Sequence, residues 1–265
     1  MLTGKVHDRI SHYEEIADTK LLPKVPVIIR LDGRSFFKAT SKLEKPFCAS
    51  FMEAMSITLL KICKEVSGCI FGYTFHDEIL IISKNDQTID TNPWYNNSIQ
   101  KIISVTSSLA SLELNKNAKD LNISFVGDAV FTGTVFVVPP TEDINTLVSK
   151  QQQAFYTAVS MASFYELHKK YDTETVREIL VGRSVDEKLE LLEQECEIDF
   201  NSYPAPFRRG VACYKAPKLF STTEGNVLKD KWIIDTNIPI FTKDHSFLGN
   251  IFHSGRDVFR ANRDI

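Results

Sequence analysis

The run Val27-Ile28-Ile29-Arg30-Leu31, closed by Asp32-Gly33, limits what this chain can fold into more than any other stretch. A β-branched apolar run of that length is one buried strand. Its end puts a carboxylate and a turn residue at the mouth of the strand. Further along, Gly72-Tyr73-Thr74-Phe75 and Ile79-Leu80-Ile81-Ile82 flank His76-Asp77-Glu78, so two more acids arrive where they can face the end of the first strand. Like charges held close raise each other's pKa unless a cation sits among them, and a divalent metal site is the economical reading. Hard oxygen donors without a Cys/His cluster favour Mg²⁺ over Zn²⁺. Asp-Gly is also an ordinary turn dipeptide. The bare residues leave metal site and plain turn both open.

Composition sets the class. With 43% hydrophobic and 25% charged residues in a chain of 265, the sequence sits near the globular average and can bury a sizeable core. No apolar run approaches the roughly 20 residues of a membrane span, so no membrane partner is expected. Five scattered cysteines without CxxC spacing, and an opening Met-Leu-Thr-Gly-Lys-Val-His-Asp without a signal-peptide core, point to a reducing, cytoplasmic location. A formal charge of -3 argues against an indiscriminate polyanion binder but leaves room for local basic patches.

The elements are expected in the following order. Apolar spacing predicts a helix over 5–22, the strand ending at Gly33, a loop after it, and an amphipathic helix over 47–66. Strand-like runs fill 69–82, a second long helix 94–114, and strands 123–126 and 134–138, the last stopped by Pro139-Pro140. Strand, helix, strand, strand, helix, strand is the split βαβ order of an α+β, ferredoxin-like or polymerase-palm antiparallel sheet. Residues 1–140 are expected to form this palm-like catalytic domain. Residues 141–265 are expected as a helical and irregular extension packed on it, with helices over 142–171 (Thr141 as N-cap), 173–180 and 186–196, and short strands at 232–234 and 238–241.

Arg30-Leu31-Asp32-Gly33-Arg34-Ser35-Phe36, then Lys45-Pro46, Gly72-Tyr73-Thr74 and Asp77-Glu78, collinear from about His7 to Pro139, resemble the signature series of the tRNA-histidine guanylyltransferase family. Its members add nucleotides in the 3′-to-5′ direction. The resemblance implies a palm-like sheet, a homotetramer, two Mg²⁺ ions, ATP and GTP or another nucleoside triphosphate as substrates, and tRNA as partner. It implies Asp32 and Asp77 as metal-bridging carboxylates, the Gly33 carbonyl as a further ligand, and Glu78 as their companion. Gly33, Arg34, Ser35, Phe36 and Phe37 would sit on the triphosphate, Lys45 near the nucleotide, and Lys101 on the triphosphate of the activating nucleotide. Some positions depart from the family pattern: Phe37 stands in place of His, Cys48 of Asp, His76 of Ser, Thr132 and Thr134 of Asp and Arg. Gln153, Tyr156 and Thr157 likewise replace Asp, Arg and Asn.

His76 reads either as an acid, base or phosphate contact or as a solvent-exposed strand residue without a role. Cys48 reads as a helix-start residue. The cluster Arg208, Arg209, Lys215 and Lys218, with Phe207 and Tyr214 interleaved, is the best candidate for RNA contact. The stretch Lys150-Gln151-Gln152-Gln153-Ala154 resembles the branch of the family that repairs truncated tRNA 5′ ends by templated pairing. The expected function is therefore Mg²⁺-dependent addition of nucleotides to tRNA 5′ ends. A small-molecule nucleotidyl cyclase or dinucleotide synthase, and a catalytically weakened RNA-binding relative, are the alternatives.

Overall fold

Alternation along the first strand divides the interior into two layers. The computed structural model of this chain describes residues 4–86, 91–222 and 225–253. The first half comprises α1 (Gly4–Ala17), β1 (Val27–Gly33), a short α2 (Phe36–Ala39), α3 (Ala49–Glu65), β2 (Cys69–Phe75), β3 (Glu78–Ser83), α4 (Ile99–Asp120) and β4 (Phe131–Val137). The second comprises α5 (Glu142–Leu167), α6 (Thr173–Leu180), α7 (Val185–Cys196), α8 (Ala205–Arg209), β5 (Val211–Thr222), β6 (Gly225–Asp235) and α9 (His245–His253). Six strands form one antiparallel sheet in the order β4-β1-β3-β2-β5-β6. Its first four strands, with α3 and α4 as crossovers, have the expected split βαβ topology.

Val27, Ile29 and Leu31 pack with Met55, Leu59 and Ile62 of α3 and with Ile102 and Leu114 of α4. Ile28 turns the other way, into a layer with Phe71, Leu80, Ala158, Ala162 and Leu192. Strands covered on both faces read as nearly continuous apolar runs, which is why 27–31 and 79–82 carry so few polar residues. Side chains alternate along a strand, so Arg30 and Asp32 share the face of Ile28, the side covered by α5.

Several expectations give way to the structure. Ile123–Val126 is not a strand: the Ile123 N–H donates to the Ala118 carbonyl and the Val126 N–H to that of Ala39. Its apolar residues pack against the core as a loop, a pattern that alternation alone does not separate from a strand. The stretch 238–241 is not a strand either. Gln151 of α5 takes the place of a ladder there, with its Oε1 accepting from the Phe241 N–H at 2.7 Å and its Nε2 donating to the Pro239 carbonyl at 2.9 Å. Thr141 is left-handed and caps nothing with its side chain. Asp143, two residues on in the first turn, is buried, ion-paired to Lys84 at 2.8 Å, and accepts from the Ile144 N–H. Beyond 196, where irregular chain with short strands is expected, the strand at 232–234 is part of a long β5–β6 hairpin added to the edge of β2.

At Gly72 the sheet lies close against α3. A Cβ at this position would stand 2.3 Å from Cys63 Sγ and 2.8 Å from Leu59 Cδ1. Both neighbours are buried core side chains. Gly72→Ala is expected to destabilise the fold by roughly 1–3 kcal/mol through overpacking, read as a lower urea midpoint with an unchanged m-value. A midpoint equal to that of the wild type would contradict this packing.

Candidate active site

The ends of three strands converge on the acids. Asp32 of β1 lies directly opposite Glu78 of β3 in the ladder, and both belong to the face covered by α5. β2 and β3 are joined by His76 and Asp77 alone. The Gly33 N–H donates to the Asp77 carbonyl at 3.0 Å, so the turn is tied to the end of β1 by backbone. Thr132, across β1 on β4, donates its hydroxyl to the Asp32 carbonyl at 3.3 Å. His76 is thus a turn residue rather than a strand residue, with φ of 53°. That left-handed conformation is uncommon outside glycine, and such strain concentrates at functional sites.

Each acid has its own cation or imidazole. Asp32 Oδ2 accepts from Arg30 Nε at 3.1 Å, and Asp77 Oδ1 meets His76 Nδ1 at 2.9 Å. Lys150 of α5 reaches Glu78 from across the layer, at 2.8 Å to Oε1 and 3.0 Å to Oε2. Carboxylates directly opposite on neighbouring strands repel, and these partners offset that cost.

The loop after Gly33 is held by packing. A Cβ on Gly33 would stand 2.5 Å from Phe36 Cγ. The Phe36 ring itself is buried, edge-on to Phe51 and Phe131. With the Phe36 side chain in the core, it is the backbone of this loop, from Gly33 to Phe37, that is left for the place on the triphosphate which the resemblance implies. The Arg34 N–H donates to the Val130 carbonyl at 2.7 Å and that of Gly33 to Asp77. Of the amides expected to cradle phosphate, those of Ser35, Phe36 and Phe37 are left for that role. Arg34 and Ser35 are exposed.

Beside the turn opens a cleft of about 680 Å³, its lining including Phe37, Lys45, His76, Asp77, Tyr156 and Arg177. That volume suits a nucleotide-sized ligand. Partial burial holds the Lys45 ammonium below the ordinary lysine value, and its Nζ lies 5.4 Å from the centre of the Tyr165 ring. A smaller recess of about 120 Å³ joins Asp77 and Glu78 to Lys150, Gln153 and Thr157 along one face of α5.

The structure brings Asp32, Gly33, Phe37, Lys45, His76, Asp77 and Glu78 into one region. It does not bring Lys101 there. Lys101 sits in the first turn of α4, in a separate cleft with Glu14, Glu15, Asp18 and Ser98. It is Ser107 and Ser111, later in α4, that reach Gly133 and Phe131 beside the end of β1. The basic cluster is also rearranged. Arg208 donates to the Tyr203 carbonyl at 2.7 Å and Arg209 to Asn237 at 3.4 Å, while Phe207 stacks on Phe47 and the Tyr214 hydroxyl bonds Asp235. Arg208, Arg209 and Tyr214 bond within the C-terminal part, Phe207 joins it to Phe47 ahead of α3, and only Lys215 and Lys218 of the expected patch are exposed.

Sequence reasoning passed over Lys150 and Arg177 as site residues and gave Arg30 no role there. Period-two alternation would have placed Arg30 beside Asp32. Lys150 lies in a stretch singled out by resemblance, but no local signal pairs it with Glu78 or brings Arg177 to the cleft; both depend on how α5 covers the sheet and α6 packs on α5.

A palm-type antiparallel sheet with acids at its strand ends, opening on a nucleotide-sized cleft that also holds cations, is the site of a nucleotidyltransferase. The family model for tRNAHis guanylyltransferase matches residues 7–139 of this chain. A "Probable tRNA(His) guanylyltransferase" of Drosophila melanogaster is 25% identical over 198 residues, covering 73% of this chain and 68% of the fly protein. The tRNA(His) guanylyltransferase 2 of Arabidopsis thaliana is 26% identical over 79% of this chain, which spans only 39% of that protein. Among solved structures, a bacterial tRNA(His) guanylyltransferase-like protein in complex with ATP superimposes with a TM-score of 0.78 at 26% identity, covering 93% of this chain and 98% of that one. Its complex with GTP gives 0.72. The chain belongs to the tRNA-histidine guanylyltransferase family and is a nucleotidyltransferase.

Proposed function

We propose that this chain is a Mg²⁺-dependent enzyme that adds nucleotides to tRNA 5′ ends in the 3′-to-5′ direction, with the opposing strand choosing the nucleotide. The observation that carries this reading is the backbone tie of Gly33 to Asp77, which joins the end of β1, where Asp32 lies opposite Glu78, to a turn whose Asp77 lines a cleft with Lys45 and Arg177. The ATP- and GTP-bound bacterial neighbours support nucleoside triphosphates as substrates.

The acids fit Mg²⁺. Asp32 and Asp77 each keep a second carboxylate oxygen beyond the one bonded to Arg30 or His76, and their side chains are 44% and 36% exposed. Among the described residues no three acidic, histidine or cysteine side chains close into a cage. Mg²⁺ characteristically takes one or two carboxylates, waters and substrate phosphates rather than such a cage. Asp32, Asp77 and the Gly33 carbonyl would hold the ions, whose chemistry is to neutralise phosphate charge and stabilise an in-line displacement.

The chain's own residues bind and orient. Lys45 and Arg177 place two cations where phosphates enter the cleft. Lys150 neutralises Glu78, so the acid row does not repel the incoming anion. A 5′-monophosphate end activated with ATP then presents its phosphorus to the 3′-hydroxyl of the incoming nucleotide, which displaces the activating group. The wall of α5 facing the cleft, including Tyr156, Thr157 and Ser160, carries no charge to select one base. That supports choice by Watson–Crick pairing with the opposite strand, where the nucleic acid rather than the protein reads sequence. A homotetramer is part of the same proposal. The outward row Ile10, Tyr13 and Ile16 on α1, a helix without a single buried residue, supports it.

Asp32→Ala or Asp77→Ala is expected to lower nucleotide addition to a truncated tRNA by at least roughly a thousandfold, a loss of about 4 kcal/mol of transition-state stabilisation. Turnover near that of the wild type in either variant would remove the metal reading. With a tRNA lacking its first 5′ nucleotide and the opposing base varied, the preferred triphosphate should follow that base. Addition of G whatever stands opposite would contradict templating. Sedimentation should show a tetramer that Ile16→Glu breaks into smaller species, and a monomeric wild type would exclude that assembly.

A further inference from the structure

Phe37, in the first turn of α2, is 81% exposed, more than any other large apolar residue among those described. It does not serve the core. Its neighbour Phe36 fills that role, and Phe37 stands on the rim of the cleft. Tyr156 on α5 lines the same cleft and is 51% exposed. An isolated exposed aromatic needs no explanation. Two on separate elements, bordering one cleft that also carries Lys45 and Arg177, form a specific chemical environment.

That environment matches a nucleobase attached to phosphates. Aromatic rings offer faces on which any base stacks, because every base has a π-face. Lys45 and Arg177 supply the charge that phosphates require. Of the hydroxyls along the wall, that of Thr40 is buried and donates to the Phe36 carbonyl and that of Ser160 accepts from Lys188, which leaves the exposed Thr157 to meet a base. A hydroxyl both donates and accepts, so it adapts to any base edge rather than selecting one.

We propose that Phe37 and Tyr156 hold the base of the bound nucleoside triphosphate by its faces, so that the cleft admits all four bases in order of stacking strength. The proposal rests on the nucleotidyltransferase reading and adds how the site tolerates every base that a template calls for. It makes Phe37 and Tyr156 binding residues that act on the base and not on the phosphates. Purine triphosphates then bind more tightly than pyrimidine triphosphates, without discrimination between A and G.

The test uses the full-length protein with Mg²⁺ and no RNA. A 2-aminopurine nucleoside triphosphate is titrated by its fluorescence, which stacking quenches, and inorganic tripolyphosphate is titrated by calorimetry. Phe37→Ala and Tyr156→Ala should each weaken the fluorescent nucleotide by roughly 5- to 100-fold, leave tripolyphosphate unchanged, and lose the quench. Phe37→Trp should restore both binding and quench. If either alanine variant binds the nucleotide as tightly as the wild type, or loses tripolyphosphate in parallel, the stacking role is overturned while the catalytic reading stands. Failure of the wild type to bind either nucleotide or tripolyphosphate would bring down both readings.

Discussion

One backbone hydrogen bond, from the Gly33 N–H to the Asp77 carbonyl, carries the geometry of the site. It ties the end of β1 to the two-residue turn between β2 and β3. That tie means something only because the strands cannot slip. A shift of one residue would turn every side chain to the opposite face. β1 and β3 are buried on both faces, with Ile28 and Leu80 in one layer and Ile29 and Ile81 in the other. The core therefore sets the register, and the register sets Asp32 opposite Glu78.

Charge then makes the arrangement depend on the second half of the chain. Asp32 takes its partner from two residues earlier on its own strand, and Asp77 from its neighbour in the turn. Glu78 takes Lys150 from α5, an element 72 residues away in sequence. α5 is itself anchored at its start by the buried Asp143–Lys84 pair and along its length by Gln151, which ties down the segment 239–241. An acid row at the strand ends and a long helix across the sheet are in this sense one structure. The same helix supplies Tyr156 to the cleft.

Much of this could be read from residues in sequence order, and the reason is physical. A doubly buried strand announces itself as an apolar run, and a carboxylate at its end marks the mouth of the sheet whatever the rest does. The split βαβ order followed from the same runs. Where a reading went astray, a tertiary contact had replaced a local one. Ile123 and Phe125 alternate like a strand but pack as a loop. Arg208 and Arg209 look like a basic patch in sequence, and the fold adds bonds to the Tyr203 carbonyl and to Asn237 that sequence order does not show. Lys150 and Arg177 have no periodic or turn signal, because only the crossing of helix over sheet brings them to the site.

The central claim is that Asp32 and Asp77 act as one metal-binding unit at the edge of the nucleotide cleft. Crystals grown with Mn²⁺ in place of Mg²⁺ and a non-hydrolysable nucleoside triphosphate would test it by anomalous diffraction at the manganese edge. The account predicts anomalous density in contact with carboxylate oxygens of both Asp32 and Asp77 and with the bound phosphates. A nucleotide seated in the cleft with no manganese on either carboxylate would contradict it.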